Sequence, residues 1–214
     1  MSAEAVRYLR AVDPTLAAVI DAVGPFAPLR REPTFATLVA TIIGQQISTR
    51  AAAAIDQRLR ERLGGTVTPD TLLAASDEDL RRAGLSRAKL TAVRDVAQRV
   101  AAGELIVERL SELDDETVIA HLSKSRGIGR WTAQMFLIFA LGREDVLPLD
   151  DYGFRAAVRR LYGAESARTP AALAALGERW RPYRSVATWY LWRSLALPIE
   201  HDYHPPNDRQ NRTA

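Results

Sequence analysis

The chain has 214 residues, of which 47% are apolar, and its 29 Lys and Arg residues against 26 Asp and Glu residues give a formal net charge of +3. This length and apolar content predict a globular protein with one large domain or two small lobes. No long apolar run occurs, and Glu4 lies where a signal peptide would be basic, so we expect a cytoplasmic protein without a membrane partner. The absence of cysteine excludes disulfides, thiolate zinc sites, iron–sulfur clusters and a cysteine nucleophile.

The remaining metal-ligating side chains cluster at the end of the chain. His201, Asp202 and His204 lie in the Pro-containing segment 201–214, which we predict to be a polar tail rather than a metal site. The pI near 9.5 is compatible with a polyanionic partner. The basic residues of the chain are almost all arginine, since only Lys89 and Lys124 are lysines.

The helical signals run along the whole chain, because Ala, Leu, Arg and Glu dominate and apolar residues recur at three- and four-residue spacing. Asp13-Pro14 and Thr169-Pro170 each place an N-cap before a proline at the first helical position. The fold class is therefore predicted to be all-α, with no repeat and no sheet of several strands. The predicted helices are 14–24, 34–63 with a break at the glutamine pair, 69–75, 77–83, 87–102, 115–124, 130–141, 152–162 and 170–197.

One predicted connection between helices contains candidate catalytic residues. Residues 142–151 contain Pro148 and end in two carboxylates, Asp150 and Asp151, directly before the predicted helix at Tyr152. The ordinary interpretation is a helix N-cap with a favourable dipole partner. The alternative is an ionised carboxylate that takes part in a reaction.

The sharpest local motif is Gly127-Ile128-Gly129, which has a helical pattern on each side. It predicts a helix, a tight hairpin and a second helix whose first N–H groups could bind a phosphate oxygen. A simple turn between antiparallel helices would look the same, so the motif alone leaves both interpretations open.

Four motifs together resemble one family. These are Ile43-Gly-Gln-Gln-Ile-Ser48, Gly127-Ile-Gly-Arg-Trp-Thr-Ala133, Leu147-Pro-Leu-Asp-Asp-Tyr152, and Trp180-Arg-Pro-Tyr-Arg-Ser185 with Trp192 downstream. In this order they resemble the helix-hairpin-helix DNA glycosylases, and within that superfamily the 3-methyladenine DNA glycosylase II type. The likeness covers roughly residues 33 to 197. The N-terminal β-rich lobe of the best-known bacterial type has no counterpart here, which matches a compact helical form.

The resemblance implies a two-lobed helical fold with a cleft between the lobes. Lobe A would comprise residues 33–110 with a wedge segment at 43–50. Lobe B would comprise residues 1–32 and 111–200, with the hairpin at 122–133 and the catalytic loop at 142–152. The first thirty residues would pack on the carboxy-terminal helices, and the protein would act as a monomer.

The resemblance also implies a function: hydrolysis of the N-glycosidic bond of alkylated purines, such as 3-methyladenine and 7-methylguanine, in duplex DNA, as the first step of base excision repair. Such an enzyme flips the nucleotide out of the stack and stabilises positive charge on the sugar. Asp151 is the expected catalytic carboxylate and Asp150 its rival or its capping neighbour. Trp131 occupies the position of the lysine that forms a Schiff base in lyases, and Lys124 is interpreted as a solvated helix-end residue, so no lyase step is expected.

The other site residues follow from the same likeness. Trp131, Trp192, Met135 and Gln45 would form the base pocket, where an aromatic face can hold a cationic base by stacking. Gln46 would be the wedge that fills the gap left by the flipped nucleotide. The predicted contacts to the DNA backbone are Gly127, Gly129, Arg130, Thr132, Ser48, Thr49 and, with less weight, Arg50.

No metal or cofactor is expected, apart from a possible monovalent cation at the hairpin. Two alternatives stay open. A non-catalytic helix-hairpin-helix DNA-binding module would have the same hairpin, although a carboxylate close to phosphates would weaken its binding. A glycosylase for oxidised or mismatched bases would share the fold, although Trp131 in place of lysine disfavours it.

Overall fold

The structure is a computed structural model that describes residues 3–198, and within this range the regular elements are helices without any β-strand. The predicted all-α class is therefore confirmed. Twelve α-helices follow one another: α1 Ala3–Val12, α2 Pro14–Val23, α3 Phe35–Ile43, α4 Thr49–Arg62, α5 Pro69–Ala74, α6 Asp77–Arg82, α7 Arg87–Ala101, α8 Asp115–Ser123, α9 Arg130–Phe139, α10 Tyr152–Tyr162, α11 Pro170–Glu178 and α12 Arg184–Ser194. The predicted tail 201–214, with His201, Asp202 and His204, lies outside the described residues.

Most helices begin at a side chain that caps the first turn. The hydroxyl or carboxylate of the preceding residue accepts a hydrogen bond from the third backbone N–H of the helix, which satisfies a donor that has no partner within the helix. The predicted starts at Asp13-Pro14 and Thr169-Pro170 are confirmed. The predicted break at the glutamine pair separates α3 from α4.

The prediction of one helix over 170–197 is wrong. The segment forms α11 and α12, and a turn that contains Pro182 separates them. Proline has no backbone N–H to donate, and its ring disfavours helical geometry at the residue before it, so the helix cannot run through this position. Helix α1 and the short 3-10 segments Val107–Glu112 and Glu165–Ala167 were not predicted.

The described chain divides into two compact units. Unit 1 combines the amino-terminal residues up to Pro28 with those from Glu144 onward, and unit 2 is Leu29–Arg143. These boundaries differ from the predicted lobes, because the hairpin helices α8 and α9 group with α3 in unit 2. No helix among residues 3–198 has both the length and the apolar character needed to cross a bilayer.

In unit 1, the amino-terminal helices pack on the carboxy-terminal ones. Helix α2 contacts α1 and α12, and α10 also contacts α12. The expectation that the first thirty residues pack there is confirmed for residues 3–28. Asp13, only 1% exposed, accepts hydrogen bonds from the Leu16 N–H, the Trp180 indole at 2.8 Å and the Tyr162 hydroxyl at 3.0 Å. One buried carboxylate therefore caps α2 and satisfies two aromatic donors, the buried Trp180 and the partly buried Tyr162.

In unit 2, α3 and α7 form the centre of the packing. Helix α3 contacts α4, α7 and α9, and α7 also contacts α5 and α6. Leu38, Val39, Ile42 and Ile43 of α3 are all fully buried. The segment that follows α3 therefore begins at the buried core of unit 2.

Candidate functional site

The carboxylate of Asp151 is the N-cap of α10 in unit 1. Its Oδ1 atom accepts a hydrogen bond from the Phe154 N–H at 2.6 Å and another from the Trp192 indole Nε1–H at 2.7 Å. The residue is 8% exposed. Both donors therefore bind one oxygen of this carboxylate at the start of α10.

Asp150 differs from Asp151 in its exposure and in its position relative to the start of α10. It is exposed, and the side chain that caps α10 is that of Asp151. The prediction that Asp150 provides the cap is therefore wrong. The physical reason is register: only the residue directly before the first helical position can reach the N–H two residues into the helix.

Gly153 is a site residue that the sequence reasoning missed. A Cβ atom at this position would lie 3.0 Å from Cδ1 of Trp192 and 3.3 Å from Oδ1 of Asp151. Any larger residue would push the indole away from the carboxylate. A glycine in the first turn of a helix is a weak signal, since it lowers helix propensity and invites a search for a packing reason.

The loop before Asp151 is attached to the start of α12. Asp145 accepts hydrogen bonds from the side chain of Arg184 at 2.7 and 3.0 Å, and the Ser185 hydroxyl accepts the Val146 N–H at 2.9 Å. Because α12 also carries Trp192, the same helix holds both the loop and the indole that binds the carboxylate. The Trp180–Ser185 motif contributes to the site through these loop contacts.

The predicted helix, hairpin and helix are confirmed in unit 2 as α8, the turn 124–129 and α9. Gly127 has φ +74°, and a Cβ atom there would lie 2.9 Å from Cβ of Ala92 on α7. Gly129 is exposed, and a Cβ atom there would meet nothing within 4 Å. Gly127 is thus required by backbone conformation and packing, whereas Gly129 leaves the backbone open to a partner.

Helix α9 begins without a side-chain cap, because its N-cap is Gly129. Arg130, the first residue of α9, forms a two-pronged ion pair with Glu116 on the exposed surface. A phosphate at this helix end would compete with Glu116 for the guanidinium.

One face of α7 contacts the hairpin and fixes its position. Besides the contact of Ala92 with Gly127, Asp95 accepts the Arg126 N–H at 3.0 Å, and Arg99 donates to the Ser125 hydroxyl at 3.2 Å. Lys89 on the same face donates to the Ile43 carbonyl at 2.6 Å. Desolvation by burial lowers the pKa of the Lys89 ammonium below its ordinary value.

The predicted wedge segment forms a strained turn between α3 and α4. Gln46 is exposed and has φ +57°, whereas the amide nitrogen of Gln45 donates to the Gly127 carbonyl at 2.9 Å and to the Thr132 hydroxyl at 2.8 Å. Thr132 is 3% exposed, and its hydroxyl accepts a hydrogen bond from the Gln45 amide, so its contact with the DNA backbone stays a prediction. Ser48 caps α4 through the Ala51 N–H.

The remaining predicted residues lie where their helices place them. Thr49 and Arg50 are exposed in the first turn of α4, and Lys124 is exposed at the end of α8, as expected. Trp131 is half-buried and Met135 is 7% exposed, one turn apart on α9. Across residues 3–198 there is no cluster of three or more His, Cys, Asp or Glu side chains that could hold a metal ion.

Comparisons with known proteins find both similar sequences and similar structures. A family model described as HhH-GPD superfamily base excision DNA repair protein matches residues 39–182. DNA-3-methyladenine glycosylase 1 of Schizosaccharomyces pombe is 31% identical over 206 residues, which are 93% of this chain and 89% of the relative. The DNA-3-methyladenine glycosidase from Bacillus halodurans has a crystal structure that aligns with a TM-score of 0.76 at 37% identity, over 90% of this chain and 89% of that one.

A structure of the Schizosaccharomyces pombe 3-methyladenine DNA glycosylase Mag1 in complex with abasic DNA aligns with a TM-score of 0.82 at 30% identity, over 91% of this chain and 97% of that one. An 8-oxoguanine glycosylase/lyase of Clostridium acetobutylicum shares the fold, with a TM-score of 0.73 at 20% identity. The family model covers more than half of the sequence and these alignments span nearly all of it, so the chain belongs to the helix-hairpin-helix superfamily of base excision DNA repair proteins.

Proposed function

We propose that this protein is a monofunctional DNA glycosylase that removes alkylated purines of the 3-methyladenine and 7-methylguanine type from duplex DNA. The observation that carries the proposal is the buried Asp151 carboxylate, which two N–H donors hold at a helix N-terminus. The relatives named DNA-3-methyladenine glycosylases support the choice of substrate.

In the proposed reaction, the bond between the sugar and the base breaks before a nucleophile is fully attached, and positive charge develops on the sugar. A fixed anion close to that charge stabilises the transition state more than the ground state. Asp151 supplies the anion and also orients the attacking water. Its hydrogen bonds to Phe154 and Trp192 fix the carboxylate in advance, so little reorganisation is needed during the reaction.

Substrate choice is proposed to rest on aromatic faces. Alkylation at N3 or N7 makes a purine cationic, and a cation is attracted to an indole face with little need for specific hydrogen bonds. Trp131 and Trp192 are the proposed aromatic partners, and Met135 one turn after Trp131 adds a polarisable contact.

DNA binding is proposed to use the backbone N–H groups at the start of α9, where Gly129 gives a phosphate close access. Ser48 and Thr49 at the start of α4 are proposed as a second phosphate contact. Gln46 is the proposed wedge, and its exposed, left-handed position supports that role.

We further propose that the product is an intact abasic site, released by a monomer that needs no cofactor. A lyase step needs an amine nucleophile, and Trp131 stands where related lyases carry lysine. Lys124 is exposed at the end of α8, and the Lys89 ammonium is already bound to a backbone carbonyl in unit 2. A monovalent cation at the hairpin stays a prediction, and the Gly127 carbonyl of this turn already accepts a hydrogen bond from the Gln45 amide. The proposed place of action is the cytoplasm, on the chromosome.

The test is release of free base. Duplexes that carry 3-methyladenine, 7-methylguanine, 1,N6-ethenoadenine, hypoxanthine or 8-oxoguanine are incubated with the protein, and the released base is measured by chromatography against an undamaged duplex. We expect release of the alkylated purines and no covalent adduct when borohydride is added. Release of 8-oxoguanine alone would favour the oxidised-base alternative, and binding of all duplexes without release would favour the non-catalytic DNA-binding module.

A further inference from the structure

Gln46 occupies a backbone conformation that needs support. A residue other than glycine in the left-handed region is strained and persists only where its surroundings hold it. Its side chain is exposed, so packing of the side chain itself does not supply the support. The supporting contacts come from the residues on each side of it.

The residues before Gln46 are fixed by long-range hydrogen bonds within unit 2. The Lys89 ammonium binds the carbonyl of Ile43, the last residue of α3. The Gln45 amide binds the hairpin carbonyl of Gly127 and the hydroxyl of Thr132 on α9. After Gln46, the side chain of Ser48 caps α4. The turn is therefore fixed at both ends.

The same helix supports both parts that Gln45 connects. The face of α7 that includes Lys89 and Ala92 binds the end of α3 through Lys89 and packs against the hairpin through Ala92. Gln45 joins the hairpin directly to the turn and so closes a triangle of three elements. Helix α7, the hairpin and the turn therefore cannot move relative to one another without breaking a hydrogen bond or a packing contact.

We propose that Gln45 is a positioning residue that locks the Gln46 turn to the hairpin, so that the phosphate bound by the hairpin sets how far Gln46 enters the duplex. This proposal rests on the proposed base-flipping function. It replaces the expectation that Gln45 lines the base pocket. Both hydrogens of its amide nitrogen are used by Gly127 and Thr132, so that nitrogen has no donor left for a base.

The test separates positioning from base contact by using two substrates. One is a duplex with the lesion fully stacked, and the other has the same lesion in a bulge, where the base is already unstacked. With Gln45→Met, we expect single-turnover release from the duplex to fall by about 10-fold and release from the bulge to change by less than about 3-fold. Affinity for undamaged duplex should stay within about 2-fold, because the hairpin N–H groups are intact.

Two further variants sharpen the result. Thr132→Val removes one of the two bonds of Gln45 and should give a smaller loss on the duplex, with little additional loss in the Gln45→Met background. Gln57→Met is the matched control, since Gln57 bonds to Glu61 within α4, and it should leave both substrates unaffected. Equal losses on duplex and bulge with Gln45→Met, or no loss on the duplex, would overturn the positioning role.

Hydrogen exchange distinguishes failure of this inference from failure of the proposed function. Amides of residues 44–50 and of the hairpin should exchange faster in Gln45→Met than in the wild-type protein or Gln57→Met, whether or not the protein releases any base. Unchanged exchange in both segments would contradict the lock. Faster exchange in a protein that releases no base would leave the lock in place and refute the glycosylase proposal.

Discussion

The candidate residues of the two units differ in burial: Asp151 lies in unit 1, whereas the hairpin and Gln46 lie in unit 2. The Asp151 carboxylate is 8% exposed, and side-chain and backbone donors fix one of its oxygens. Gly129 and Gln46 lie at the surface, and backbone conformation sets their positions. A buried anion gains strength from the low local dielectric, whereas a surface that binds phosphate needs access. This contrast supports the proposal that unit 1 supplies the catalytic carboxylate and unit 2 supplies the contacts to the DNA backbone.

The largest expected effect is on base release, and it tests the catalytic role of Asp151. Asp151→Asn removes the anion but keeps a side chain that can cap α10, so base release should fall by about 1000-fold or more while thermal stability changes little. Single-turnover release and a thermal melt measure the two quantities. Asp150→Asn is the control and should stay within a few-fold of wild type, since Asp150 is exposed; a larger loss there would exchange the roles of the two acids.

A smaller effect tests the support of the carboxylate. Trp192→Phe keeps an aromatic ring but removes the indole N–H that binds Asp151 at 2.7 Å. A hydrogen bond to a charged group contributes about 1.5–3 kcal/mol, so kcat/KM should fall by roughly 10- to 100-fold. Tyr152→Phe, on an exposed ring next to Asp151, should have no such effect. An unchanged kcat/KM for Trp192→Phe would show that the indole bond does not help catalysis.

The two hairpin glycines test the DNA-binding side. Gly129→Ala adds a methyl group in open space, so the fold should be unaffected, while a phosphate at the start of α9 would be displaced and DNA affinity should fall by about 5- to 10-fold. Gly127→Ala should instead lower the free energy of unfolding by about 2 kcal/mol, because of its φ of +74° and its contact with Ala92. Urea denaturation and fluorescence anisotropy separate these results, and equal stability losses would contradict the distinction.

The smallest effect concerns the charge at the hairpin. Glu116→Gln removes the negative charge from the ion pair that Glu116 forms with Arg130 on the exposed surface. Affinity for undamaged duplex should rise by about 2-fold at low salt and show a steeper dependence on salt concentration. A titration at two salt concentrations measures this change. Weaker binding would mean that Glu116 orients Arg130 toward DNA rather than competing for it.

The sequence predicted local features well and long-range contacts poorly. The helix starts at Asp13 and Thr169 and the hairpin at Gly127 are set by residues next to one another. By contrast, the bond from Gln45 to Gly127 spans 82 positions, and the need for Gly153 arises only when Trp192 packs against it. Nothing in the local pattern encodes these contacts.

The choice between adjacent carboxylates had a different limit. Either Asp150 or Asp151 could have been the N-cap, and only the register of α10 decides it. The helix predicted over 170–197 failed because its strong helical composition outweighed one local breaker, Pro182. Helix α1 was missed although the sequence places Ser2, a residue type that favours the N-cap position, directly before Ala3 and Glu4 in the first turn.

The central claim, that unit 1 supplies the catalytic carboxylate and unit 2 the contacts to the DNA backbone, is tested most directly by one titration. Wild type, Asp151→Asn and Gly129→Ala are titrated against a trace of duplex that carries one 7-methylguanine, and single-turnover release of the base is followed at each concentration. We expect Asp151→Asn to lose the plateau rate and to retain its DNA affinity, which is measured in parallel by anisotropy. We expect Gly129→Ala to keep the plateau and to shift the midpoint to higher concentration. A Gly129→Ala plateau as low as that of Asp151→Asn, or normal release by Asp151→Asn, would contradict the central claim.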